Sequence, residues 1–203
     1  QNLVKLNNVE ILVLDEADRM LDMGFIPDVR RIISMLPTQR QTLFFSATMS
    51  REVQRIAADF IHNPIRVEAS PTSTTVEAIE QRVCFVEKEN KRELLTYFLK
   101  DSSIVRALIF TRTKHGADRV ARHLHREGIK AQAIHGNKSQ NARVRAMEHF
   151  RSGDARVMVA TDVAARGIDI DDITHVFNFD MPSEPEVYVH RIGRTARDRK
   201  SVV

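Results

Sequence analysis

Apolar residues follow two alternating rhythms along this chain. Short, nearly continuous runs recur near residues 9–14, 42–46, 107–110, 157–160 and 174–179, with a weaker one at 131–134, and segments of helical period lie between them. Apolar runs of this length bounded by polar turns fit strands buried on both faces. Alternating with amphipathic helices, they predict βαβ units and a parallel sheet, an α/β fold. Pro27 opens a helix carrying Val29, Ile32, Ile33 and Leu36 on one face, and Pro37 stops it, the usual places for a first-turn and a terminating proline. Val53, Ile56, Ala57, Phe60 and Ile61 repeat the pattern before Asn63-Pro64. So do Leu94, Leu95, Phe98 and Leu99, and then Ala117, Val120, Ala121 and Leu124 ahead of Gly128. Each stripe is expected to lie on a sheet.

The periodicity lapses between Ala69 and Val76, where the text is small, polar and proline-containing. That stretch reads as a linker, dividing the chain into residues 1–68, a linker at 69–79, and residues 80–203. The first part offers two good strands and a weak third at Ile65–Glu68, fewer than the five or six usual in such a sheet. It is expected to be the later portion of a domain.

At 203 residues with 42% hydrophobic content, the chain can bury one large core or two small ones. No apolar run approaches membrane-spanning length and the N-terminus lacks signal-peptide character, so cytoplasmic residence without membrane association is expected. Cys84, the single cysteine, excludes an internal disulfide and is expected to be a small buried hydrophobe in a strand-like stretch, Gln81–Val86. The net charge of +4 is unevenly placed: residues 1–70 carry 8 Lys+Arg against 9 Asp+Glu, which leaves 23 against 18 for the remainder. The second part is the electropositive one, compatible with a polyanion partner or with solvated helix faces.

Candidate chemistry sits at strand ends, where open α/β sheets place their ligands. Asp15-Glu16-Ala17-Asp18 follows the first run, and His190-Arg191-Ile192-Gly193-Arg194-Thr195-Ala196-Arg197 carries three arginines at helical spacing near the other end. A carboxylate able to hold a metal and guanidinium groups suited to phosphate are complementary halves of a nucleoside triphosphatase. Asp15 can supply a water-mediated Mg2+ contact, Glu16 a base, and Asp18 a bridging acceptor. Ser46-Ala47-Thr48 follows the second run; its hydroxyls can reach Asp18 or cap the next helix, and residue preferences alone favour the cap. Gly136-Asn137-Lys138-Ser139 has a passing likeness to a phosphate loop, but no lysine directly follows the glycine and Ala131 stands where the first glycine belongs. Thr111-Arg112, His135-Gly136 and Thr161-Asp162 close three further strands and should open on one sheet edge, offering donors to a nucleic-acid backbone. His135 by itself reads as a structural histidine.

Taken together, these segments resemble the DEAD-box RNA helicases of superfamily 2. Asp15–Asp18 resembles motif II, Ser46–Thr48 motif III, Ile109–Arg112 motif IV, Gln140 with Arg143 the Gln-x-x-Arg element, Thr161–Asp169 motif V and His190–Arg197 motif VI, in the family's order. Asp18–Phe25 and His135–Ser139 look most like its bacterial RhlE-type branch. The resemblance implies two RecA-like parallel-sheet domains, the first only partly present here and the second lacking its last strand and helix. It also implies ATP and Mg2+ in the cleft and RNA across both domains. Asp15 would hold the metal shell and Glu16 activate water, with Arg194 and Arg197 as arginine fingers. Asp18, Gly167 and Asp169 would lie at the nucleotide, and Ser46, Thr48, His190 and Arg191 would couple the domains. Arg112, Gly136, Gln140, Arg143, Thr161 and Asp162 would approach RNA. The glutamine motif and phosphate-loop lysine are expected upstream of Gln1, and Ala196 replaces the family's commoner glycine. Work as a monomer on duplex or structured RNA, beside ribosomal or RNA-decay proteins, would follow. Two other readings are an RNA-binding piece without activity of its own and a DNA-directed translocase of the same superfamily.

Overall fold

The computed structural model describes residues 4–22, 24–68, 79–165, 170 and 172–195. The chain divides into two compact units, Gln1–Glu68 and Ala69–Val203. Among the described residues no helix is long and apolar enough to cross a membrane.

In the first unit β1 (Ile11–Leu14) pairs in parallel with β2 (Gln41–Phe44), Leu14 opposite Phe44. Between them run α1 (Ala17–Asp22) and α2 (Ile26–Ile33), and α3 (Arg51–Phe60) follows. Leu14, Ile26, Ile56 and Phe60 form the core, joined by Leu12, Val29, Ile33 and Phe44. Ile11 and Val13, alternate residues of β1, are exposed, because a strand sends successive side chains to opposite faces. The stripe of α2 is Ile26, Val29 and Ile33 rather than the expected one. Ile32 is exposed, since the helix begins a residue earlier than Pro27 and Ile26 takes the inward position. Ser50 caps α3, its hydroxyl accepting from the Val53 N–H at 3.3 Å.

The second unit contains α4 (Lys91–Leu99), β3 (Ala107–Phe110), α5 (Lys114–Arg126), β4 (Ala131–Ile134), α6 (Gln140–Ser152), β5 (Val157–Ala160), α7 (Asp162–Ala165), β6 (His175–Asn178) and α8 (Pro185–Ile192). Its sheet is parallel in the order β4-β5-β3-β6. Ala107, Ile109, Val157 and Val159 pack on Leu95, Leu99, Val120 and Leu124. The alternate residues Leu108, Phe110, Met158 and Ala160 pack on Ala146, Phe150, Ala164 and Ala165. A central strand covered on both faces needs apolar residues throughout, which is why these runs are unbroken.

Two expected strands do not form: the weak third at Ile65–Glu68 is irregular, with Ile65 and Val67 exposed, and the second lies further on. Gln81–Val86 forms no strand and Cys84 is exposed, with Val83 and Phe85 exposed beside it. A strand exists only where a neighbour completes its hydrogen bonds, and among the described residues this segment pairs with neither β4 nor β6, the outer strands.

Candidate nucleotide and nucleic-acid edges

In the first unit β1 delivers Asp15 and Glu16 to the carboxyl end of the sheet. Asp15 is exposed and its Oδ1 accepts from the Glu16 N–H at 2.8 Å. Glu16 has φ +51°, a left-handed conformation that costs a residue with a Cβ on the order of 1–2 kcal/mol. The turn is held by its own bonds: the Glu16 carbonyl accepts from Arg19 and Met20 N–H at 3.0 and 3.1 Å, and Ala17 N–H donates to the Phe45 carbonyl at 3.1 Å. Strain maintained in this way at the end of a strand is a mark of a functional position.

Asp18 is buried and fully engaged. Oδ1 accepts from Arg19 N–H at 3.0 Å, while Oδ2 accepts from both the N–H and the hydroxyl of Thr48, at 2.9 and 3.0 Å. Its own N–H donates to Ser46 Oγ at 3.2 Å, and that hydroxyl donates to the Thr48 carbonyl at 2.7 Å. The cap reading of Ser46 and Thr48 is therefore corrected. Because β1 and β2 are adjacent and in register, their exit loops leave side by side, and the Asp18 carboxylate is the partner within reach. Its place is that of a strut between two loops.

In the second unit the register sets Phe110, Ala160, Ile134 and Asn178 level, so four loops leave one edge. Buried Arg191 ties together the exits of β3, β5 and β6. Its Nε and one terminal nitrogen donate to the two oxygens of Asp162 at 2.6 and 2.8 Å. The other terminal nitrogen donates to Asn178 Oδ1 at 2.9 Å and the Asp180 carbonyl at 2.7 Å. The guanidinium also lies 4.8 Å from the centre of the Phe110 ring. A paired, stacked guanidinium of this kind is a structural fastening. Within its own unit Arg191 is thus held by Asp162, and Asp162 by Arg191.

The other predicted residues fall around this edge. Arg112 is exposed, its N–H donating to Asp180 Oδ2 at 2.9 Å. Gly136 is exposed, with open space where a Cβ would stand. Gln140 is exposed at the start of α6, and half-buried Arg143 has an Nε without an acceptor among the described residues. Thr161 is half-buried and its carbonyl accepts from the N–H groups of Ala164 and Ala165. His190 lies in the last turn of α8, and Arg194 follows it, N–H donating to the Arg191 carbonyl at 3.2 Å. A Cβ on Gly193 would stand 3.3 Å from the Val189 carbonyl, so glycine suits this tight exit. Gly167, Asp169 and Arg197 lie outside the described residues, as does nearly all of the expected linker.

The sequence reading missed two carboxylates. Asp180 holds Arg112 and lies 3.5 Å from Lys91 Nζ; an acid just past a strand end was the available signal. Asp118 on α5 meets Lys138 at 2.9 Å and His135 Nε2 at 3.1 Å, the latter off the line of a hydrogen bond. Burial works to raise the Asp118 carboxyl, but the polar contacts and charges of Lys138 and His135 outweigh it and hold the group below the usual value. His135 is buried, its Nδ1 accepting from Asn137 N–H at 3.3 Å.

Among the described residues no three metal-ligating side chains gather. The exposed carboxylate of Asp15 still suits Mg2+, which is commonly held by one carboxylate while phosphates and waters fill its shell.

Helix-flanked parallel sheets, with an acidic turn on one unit and a clamped arginine helix on the other, define an α/β protein of the nucleotide-dependent, RecA-like class. Residues 1–56 match the DEAD/DEAH box helicase family and residues 90–199 the helicase conserved C-terminal domain. DEAD-box ATP-dependent RNA helicase CshA of Bacillus subtilis is 46% identical over 198 residues, 98% of this chain and 40% of that protein. CshA of Streptococcus pneumoniae is 45% identical over 191 residues, 94% and 36% respectively. Among solved structures, S. cerevisiae Dbp5 bound to RNA and ADP BeF3 is similar with a TM-score of 0.86 at 34% identity, covering 98% of this chain and 54% of that one. A DEAD box protein from Methanococcus jannaschii gives 0.58 at 38% identity, covering 98% and 55%. This chain belongs to the DEAD-box family of ATP-dependent RNA helicases. It spans about two fifths of the length of the curated relatives it matches.

Proposed function

We propose that the chain supplies both catalytic edges of an ATP-driven RNA remodeller that locally separates RNA duplexes. Residues 1–68 would then be the later part of the first RecA-like domain and residues 80–203 the second. The carrying observation is the strained turn that holds Glu16 beside Asp15 at the end of β1. Glu16 orients and deprotonates the attacking water, and Asp15 would hold Mg2+ through water. The ion, when bound, neutralises charge on the phosphates. Arg194, presented by a helix that Arg191 locks in place, meets the γ-phosphate together with Arg197, while Gly167 and Asp169 attend the nucleotide. An arginine finger is worth roughly 10³–10⁵ in rate, and one that engages only when the units close couples ATP to RNA binding.

Ser46, Thr48, His190 and Arg191 pass that closure between the units. Arg112, Gly136, Gln140, Arg143, Thr161 and Asp162 take the RNA backbone, which explains why Gly136 needs no side chain. The RhlE-type branch rests on Asp18–Phe25 and His135–Ser139 alone, whereas the relatives named are CshA proteins. Cytoplasmic action as a monomer, beside ribosomal or RNA-decay proteins, belongs to the same reading.

The test is RNA-stimulated phosphate release by a form of the protein that carries a phosphate loop. Glu16→Gln is expected to lower kcat about 10²–10⁴-fold, the range for losing a general base, with RNA binding kept. Unchanged turnover overturns the assignment.

A further inference from the structure

The outward face of α5 carries charge that the sheet edge does not use. His115, Arg119, Arg122 and Arg126 are all exposed, and at 100° per residue they fall within about 60° of one another around the helix axis. They form a ridge about 17 Å long at 1.5 Å per residue. Two other helices set acids at pairing distance in the sequence from an exposed arginine. On α3, Glu52 and Asp59 stand three and four residues from Arg55, and on α6 Glu148 stands three from Arg145, spacings that bring opposite charges together. The single carboxylate of α5, Asp118, flanks the ridge but is held by Lys138 and His135. Arg122 Nε donates to the Asp118 backbone carbonyl at 3.2 Å. Among the described residues no carboxylate pairs with Arg119, Arg122 or Arg126.

The ridge also has a direction. α5 starts at Lys114, two residues past Arg112 at the carboxyl edge of the sheet, and runs back toward the opposite edge, where β4 begins. A strand of nucleic acid leaving that edge would meet His115 first and Arg126 last. Along a duplex strand, which rises about 3.4 Å per charge, the ridge spans roughly five phosphates. Guanidinium groups without base-reading neighbours fix a backbone and not a sequence.

We propose that His115, Arg119, Arg122 and Arg126 form a second RNA contact, a phosphate track for the segment flanking the one held at the sheet edge. The proposal rests on the RNA-facing reading of that edge, so its test separates the two. Polarisation of a labelled short single strand confined to the edge is compared, on this chain, with the same strand extended by roughly five nucleotides. Arg119→Gln, Arg122→Gln and Arg126→Gln together should weaken the extended RNA about tenfold at low salt and lower its salt slope by about two, while the short RNA changes less than about twofold. The three side chains are exposed, so the melting profile is expected to stay the same, and the single substitutions should each give part of the loss. Gly136→Leu should weaken both RNAs; if it weakens neither, the edge reading fails. The track fails if extension adds no affinity in the unsubstituted chain or if the triple variant weakens both RNAs equally. Competition by oligoglutamate of matching charge as strong as by RNA replaces the RNA assignment with an acidic peptide.

Discussion

In the first unit the turn after the leading strand is fastened by neutral groups: the Thr48 hydroxyl and the N–H groups of Thr48 and Arg19 donate to the Asp18 carboxylate, and Ser46 Oγ accepts from the Asp18 N–H. In the second the comparable edge is fastened by a buried guanidinium that joins α7, α8 and the exit of β6 through Asp162, Asn178 and Asp180. The difference follows the cores. Every residue of β3 and β5 is buried, whereas β1 buries only Leu14 fully. Arg191 is buried while Asp162 is about one-third exposed, so removing Asp162 leaves a buried guanidinium without its main partner, which is expensive. The buried Asp18 carboxylate loses less when one hydroxyl goes, since backbone N–H groups of Arg19 and Thr48 still donate to it. The second unit is therefore built to stay rigid while presenting arginine, and the first to hold its acidic turn with exchangeable bonds.

The largest expected effect tests this contrast directly. Asp162→Ala should destabilise the second unit by about 3 kcal/mol or more, the range for orphaning a buried partner, seen as a lower urea midpoint. Adding Arg191→Met should recover much of the loss. A shift under about 1 kcal/mol would mean that Arg191 finds water or another acceptor, and the contrast would fall. Thr48→Val is expected to cost about 1–1.5 kcal/mol, because one donor to a charged acceptor goes while the Thr48 N–H remains. Faster amide exchange at Asp18 and Ala17, with the second unit unaffected, is the readout. Slower or unaltered exchange would show that the strut does not hold the acidic turn.

A smaller effect lies in pH. Burial pulls His175 below its ordinary value of 6.5, with Asp101 opposing the shift and Arg82 adding to it. The folded imidazole then binds fewer protons than the unfolded one between its lowered value and 6.5. Stability present above pH 6.5 is accordingly lost as pH falls through the folded value. His175→Gln should flatten that slope in the second unit, and an unchanged slope between pH 6.5 and 5 assigns it elsewhere. The depressed Asp118 carboxyl acts in a separate window, below its ordinary value of 3.8, and contributes stability that is lost on further acidification.

Much of this architecture was legible in the chain because its signals are local. The strands lie within one or two residues of the apolar runs, and the stripe Ala117, Val120, Ala121 and Leu124 is buried as its spacing requires. The acidic turn and the arginine helix were visible as chemistry before any fold was drawn. What the sequence could not express was pairing. Whether Ser46 caps a helix or binds Asp18, 28 residues away in the chain, depends on β1 lying beside β2. Arg191 and Asp162, 29 apart, are drawn together only by the sheet order. Gln81–Val86 has a strand's composition, yet a strand is a property of two segments, and tertiary structure gave it no partner among the described residues. Local periodicity settles which residues face inward, because it acts through neighbours a turn or a pleat away. Hydrogen-bond and ion-pair partners are chosen across the fold, by which strand ends arrive at the same edge.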